Sequence, residues 1–183
     1  MIRNLFCTAL LMAVLAVPVQ RADAIEIEDD PTLREMAAMA QGQRSCERFV
    51  LQYSEPGAAG GLTEVEIRSG VVTVKRTSIG FSQGVQSGPV TSEECRALVN
   101  SLLENRIWEA SAATQHSLGD EFRPRLRLGV TAWGSFHLKL PVRGGERFQQ
   151  LRDMRNELLA LVDRATKRNR AASVEGTRQA EVH

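Results

Sequence analysis

The chain reads as an α+β protein: an antiparallel sheet of about five strands in the order β-β-β-α-β-β-α, with two amphipathic helices packed on one face. Three observations predict this. Residues 62–68 and 123–130 alternate apolar and polar side chains with the two-residue period of half-buried strands. Residues 91–108 and 148–162 instead carry apolar side chains at helical spacing. Strand pairs followed by a helix occur twice, and helices laid on one face of an antiparallel sheet complete the core that such strands require.

Residues 1–24 have the form of an export signal. Arg3 stands near the start, the apolar run over 5–17 is too short to span a bilayer comfortably, and Ala22-Asp23-Ala24 is an A-x-A cleavage site. Cleavage after Ala24 leaves a soluble periplasmic or extracellular chain with no stable membrane anchor. The alternative is an uncleaved anchor, against which Arg21 and Asp23 stand. Residues 25–45 are a leader, acidic over 25–30, followed by a short helix framed by Asp30, Pro31 and Gly42. Leu33, Met36 and Ala40 share one side of it, and it is expected to dock loosely.

The main domain spans 46–168. Its first strand, 49–53, places Phe49, Leu51 and Tyr53 on one face. Residues 56–61 are a flexible turn. Strand 62–68 directs Val65 and Ile67 inward and Glu64, Glu66 and Arg68 outward, and Ser69-Gly70 turns it into a partner at 71–76. Residues 77–89, rich in Gly, Ser and Gln, read as a loop that nevertheless carries Ile79, Phe81 and Val85. Thr91 and Glu94 then form an S/T-x-x-E capping box, opening a helix with Cys95, Leu98, Val99, Leu102, Leu103 and Ile107 on one stripe.

After a polar loop, Leu126, Leu128 and Val130 alternate with Arg123, Arg125 and Arg127. Trp133-Gly134 turns the chain, and Phe136, Leu138 and Leu140 face inward opposite His137 and Lys139. The second long helix carries Phe148, Leu151, Met154, Leu158, Leu159 and Val162, a stripe interrupted by Arg155. Residues 169–183 are low in apolar content and read as a disordered tail.

The formal charge is +1, and the signal removes one net positive charge, so the totals do not suggest capture of nucleic acid. Cys46 and Cys95 remain after cleavage. In an oxidising compartment a disulfide between them would close a loop of about fifty residues and stabilise by about 4 kcal/mol in the chain-entropy model. The competing reading is two separate thiols, with Cys95 in the first helical turn, where the dipole lowers a thiol pKa.

No chemistry is legible with comparable clarity. His116 shares a loop with Asp120 and Glu121, but ligands without a scaffold cannot hold tetrahedral geometry. H-E-x-x-H and phosphate-cradling glycine motifs are missing from the sequence. No catalytic, cofactor-binding or metal-binding residue is assigned, and the chain is not expected to be an enzyme.

Two features could support binding. Arg123, Arg125 and Arg127, joined across the hairpin by His137 and Lys139, would form a basic stripe able to meet an anionic polymer or an acidic partner. Glu64 and Glu66, if on a neighbouring strand, would neutralise it through cross-strand pairs. The other feature is the 77–89 segment, where Ile79 and Phe81 are either recognition side chains or covers for the core.

Gly60-Gly61-Leu62 leading into a hairpin, residues 90–94 opening a helix, and Asp120 ahead of Arg125-Leu126-Arg127-Leu128 together resemble the emfourin group over residues 49–162. That resemblance implies a small protein inhibitor of thermolysin-type metallopeptidases. The chain departs from the group in its longer 77–89 segment, its cysteine pair and its extended last helix, so no inhibitory residue is carried over. The expected function is an exported binding module whose partner is a protein, such as an exported peptidase, or an anionic envelope polymer.

Overall fold

A computed structural model describes residues 27, 29–57, 60–78, 81–109, 124–140 and 148–180. Residues 1–24, read from sequence as an export signal, the loop with His116, and Ile79 and Arg123 lie outside the described residues. The elements in order are α1 (Pro31–Ala40), a 3-10 turn (Cys46–Arg48), β1 (Phe49–Pro56), β2 (Leu62–Arg68), β3 (Val71–Ser78) and β4 (Phe81–Pro89). There follow α2 (Ser92–Glu104), a second 3-10 turn (Ile107–Glu109), β5 (Arg125–Val130), β6 (Gly134–Lys139) and α3 (Phe148–Ala180).

The strands form one antiparallel sheet of six in the order β4-β3-β2-β1-β5-β6. β1 is central, and its alternation explains why: Phe49, Leu51 and Tyr53 are buried against the helices, while Val50, Gln52 and Ser54 face the other way. Val65, Ile67, Val72, Val74, Leu126, Leu128 and Val130 complete the inner face. The Ser69-Gly70 loop has φ of +51° and +71°, the pair of left-handed residues that a two-residue hairpin of matching twist requires.

The structure differs from the sequence reading in four places. Phe81–Pro89, within the 77–89 stretch read as a loop, is a strand, so the sheet has six strands, close to the expected five. β4 was hidden because its inner positions hold no large apolar side chain. Gly88 lies under α3, where a Cβ would overlap the Ala165 carbonyl oxygen, and Gly84 at the β3–β4 irregularity has φ +81°.

α1 is the second difference. Asp30 Oδ1 accepts from the Thr32 and Leu33 amides at 2.7 and 3.1 Å, and Leu33, Met36 and Met39 are fully buried. It is part of the core and not a loosely docked leader, so three helices cover the sheet. Third, α2 ends at Glu104, with Arg106 at φ +45°, and Ile107 and Trp108 are buried from the following 3-10 turn. Fourth, α3 continues as helix to Ala180, through most of the stretch read as a disordered tail.

The middle turns of α3 close the β4 edge. Val90 N–H donates to Gly70 O at 2.8 Å, so the bonded pairs of this ladder fall on 72/88 and 74/86, and the Ser87 and Pro89 carbonyls point outward. Asn169 donates to Ser87 O and Arg168 to Pro89 O, both at 2.9 Å, and Pro89 itself has no amide to offer. An edge that would template pairing with another chain is thereby capped at this end.

Glu94 joins these parts. It completes the α2 capping box with Thr91 and also accepts from Arg164 at 3.1 Å and Arg168 at 2.6 Å. Desolvation pushes its pKa up, but the Arg168, Thr91 and Arg164 hydrogen bonds outweigh that and hold the carboxyl at about 2. A depressed carboxylate contributes stability that is full above its unfolded pKa and lost as pH falls through the folded one. Stability is therefore expected to drop between about pH 4.5 and 2 in the wild type, and this component, about 1–2 kcal/mol with both guanidiniums partly solvated, to be missing in Glu94→Gln. Urea midpoints across that range check it; parallel pH profiles for the two proteins would count against it.

Candidate functional site: the uncovered face of the sheet

With the helices on one face, the other face carries the outward side chains of every strand. Two cross-strand rows define it. One runs Glu66, Gln52, Arg127, His137, and the other Glu64, Ser54, Arg125, Lys139. β1 therefore stands between the glutamates of β2 and the arginines of β5, with a neutral residue in each row. At about 4.8 Å per strand, the two charged sets are about 10 Å apart along a row.

This corrects the expectation that Glu64 and Glu66 neutralise the arginines through adjacent cross-strand pairs. The glutamates are engaged on their own side: Lys75 sits 3.5 Å from Glu64, and Gln52 donates to Glu66 at 3.0 Å. Arg127 Nε donates to Ser135 Oγ at 3.2 Å, and the same oxygen lies 3.2 Å from His137 Nε2. Among the described residues no carboxylate pairs with Arg125 or Arg127.

The face is concave. A depression of about 690 Å³ crosses all six strands, from Val85 at the β4 end, past Lys75, Glu64, Glu66, Gln52 and Ser54, to Arg125, Arg127 and His137. A second, of about 320 Å³, shares Gln52 and Arg127 with the first and adds Arg68, Gly129, Thr131 and Ser135. The two meet over β1 and β5.

Of the binding residues expected from sequence, Arg125, Arg127 and His137 are brought together on this face and are exposed. Lys139 occupies the register position opposite Arg125, with its side chain outside the described residues. Phe81 is elsewhere, at the far end of the β3–β4 hairpin opposite Ser78, and is 77% exposed; it does not fold down onto the core. Cys46 and Cys95 are paired, 6.3 Å apart between Cα atoms, and tie the start of β1 to the first turn of α2 on the covered side.

The sequence reading missed Arg68, Gln52 and Gly129 as members of the site. Arg68 was legible as an outward residue of its strand, but its approach to Arg127 depends on β2 lying one strand from β5, which a single sequence does not encode locally. Among the described residues no three His, Cys, Asp or Glu side chains gather closely enough to hold a metal ion. No protein-family model matches the chain, and no curated protein matches it.

Proposed function

We propose that this chain is an exported binding module rather than an enzyme, and that it binds an anionic polymer or an acidic partner on the uncovered face of its sheet through Arg125 and Arg127. One observation carries the reading: the neutral residues of β1 keep Glu64 and Glu66 a full strand away, so the guanidiniums are offered to solvent without a carboxylate among the described residues. Exposed, unpaired guanidiniums on a rigid strand attract oxyanions and can grip them with two parallel hydrogen bonds. Retention of the wild type on a dextran sulfate matrix is expected to be salt-sensitive, with the Arg125→Gln/Arg127→Gln double variant eluting at markedly lower salt. Equal elution of the two proteins would remove the reading.

Inhibition of an exported peptidase is a second reading, supported by the exposure of Phe81 at the end of a hairpin. It predicts stoichiometric inhibition of a thermolysin-type enzyme that Phe81→Ala weakens at least tenfold. Absence of inhibition across several such enzymes would sink it.

A further inference from the structure

We propose that the smaller depression, between Arg68 and Arg127, is a pocket for a phosphate group, and that it anchors the anionic end of a ligand lying along the open face. The proposal rests on the reading of that face as a binding surface and gives it a specific point of attachment.

The pocket is built from the backbone upward. Val50 pairs with Arg68 on one side and with Gly129 on the other, so the three form one row across β2, β1 and β5. Gly129 is obligatory there: a Cβ would overlap the Gly134 carbonyl oxygen and the Ser135 side chain on the returning strand. The missing side chain lets the β5–β6 turn close in, so that Gly134 and Ser135 wall one side of a depression lined by Arg68 and Arg127. Arg127, one row away, spends Nε on Ser135 and keeps its terminal nitrogens, while Arg68 makes no hydrogen bond or ion pair among the described residues. Thr131 uses its amide on Arg48 O at 2.8 Å and leaves its hydroxyl available beside Ala132, a residue at φ +77°.

No carboxylate lines this depression, in contrast to the larger one, where glutamates stand on the β2 side. Two guanidiniums and a hydroxyl can each engage a different oxygen of a tetrahedral group, whereas a planar carboxylate offers only two oxygens. A phosphate fits the set better than a carboxylate does. No Phe, Tyr or Trp ring lines the pocket, so a base or sugar ring gains no stacking platform here, and the phosphate itself is the recognised group.

The test is titration of the full ¹⁵N-labelled protein with inorganic phosphate, and separately with acetate, followed by amide shifts. Saturating shifts at Gly129, Thr131 and Ser135 are expected with phosphate, with acetate at least tenfold weaker. Arg68→Gln, an exposed substitution, should weaken phosphate at least tenfold, and Arg68→Lys several-fold, because the charge stays and the fork is lost. Arg76→Gln, which removes an exposed charge outside both depressions, should change it less than twofold. Phosphate and acetate binding alike, equal losses in Arg68→Gln and Arg76→Gln, or no saturating shift around Gly129 would each overturn the pocket. Polymer retention that depends on Arg125 without phosphate saturation overturns the pocket alone. Phosphate saturation that depends on Arg68, with no polymer retention, overturns the wider reading of the face and upholds the pocket.

Discussion

Cys46→Ala is expected to destabilise the protein by about 4 kcal/mol, and reduction of the wild type to have the same effect. The bridge joins residues 49 apart in sequence, so all of β1 to β4 lies inside the closed loop. Opening it restores the configurational freedom of that whole segment to the unfolded chain, which in the chain-entropy model corresponds to about 4 kcal/mol for a loop of this length. Cys46 is the better position to change: it is half-buried, whereas Cys95 is 3% exposed, and a serine there would bury a hydroxyl and add a second effect. The midpoint in urea should fall, and the melting temperature should drop by on the order of 10 °C. Adding reductant to Cys46→Ala should change nothing further. A loss below about 1 kcal/mol would mean that the contacts of α1 and α2 with the sheet already hold this end of the domain. Because the bridge lies on the covered side, retention on an anionic matrix should be unchanged wherever the protein remains folded.

The elements that were legible in the sequence are those whose own residues bear both signals, a period and a boundary. β2, with Val65 and Ile67 against Glu64 and Glu66, and α2, with its capping box and stripe, are of this kind. β4 is of the other kind. Its place is set by backbone bonds to β3 and by the approach of α3 over Gly88, so the composition that suits it is the composition of a loop. The site follows the same division. The alternation of Arg125 and Arg127 placed them on the open face correctly, because which face a strand residue takes depends only on its neighbours in sequence. Whether they were neutralised depended on which strand lies beside β5, and that was settled by β1 pairing on both sides. Arg68 and Gly129 entered the site for the same long-range reason.

Arg155, the one charged residue on the α3 stripe, is the clearest case where a violated pattern marked a specific contact. Its Nε and a terminal nitrogen donate to the two oxygens of Glu55 at 2.5 and 2.6 Å, and Tyr53 Oη donates to the same carboxylate at 2.6 Å. Burial alone would raise the Glu55 pKa, but the Arg155 fork and the Tyr53 hydroxyl together hold it below the ordinary range. The Tyr53 hydroxyl is pushed well up, by desolvation first and by the Glu55 hydrogen bond and charge second. Arg155→Met is expected to destabilise by about 2–3 kcal/mol, because Glu55, with a side chain only 15% exposed, then keeps its charge without its cation. The figure is below that of a fully buried pair because the Arg155 side chain is 39% exposed. Adding Glu55→Gln to Arg155→Met should recover part of the loss, since no buried charge is left uncompensated. The pH dependence separates this account from simple loss of packing. In the wild type the depressed carboxylate stabilises above its unfolded pKa, and that contribution fades as pH falls through the folded value. In Arg155→Met the fork no longer opposes burial, so the Glu55 pKa rises and acidification costs the variant less than it costs the wild type. The stability gap between the two proteins must therefore narrow from pH 7 toward pH 4. A constant gap would assign the whole effect to lost side-chain contacts. Tyr53 and Glu55 lie on the same strand as Gln52 and Ser54, so this network also fixes the strand that keeps the arginines of the open face apart from the glutamates. Weakened anion retention in Arg155→Met, at a pH where the protein is still folded, would show that the charge separation depends on how firmly β1 is held.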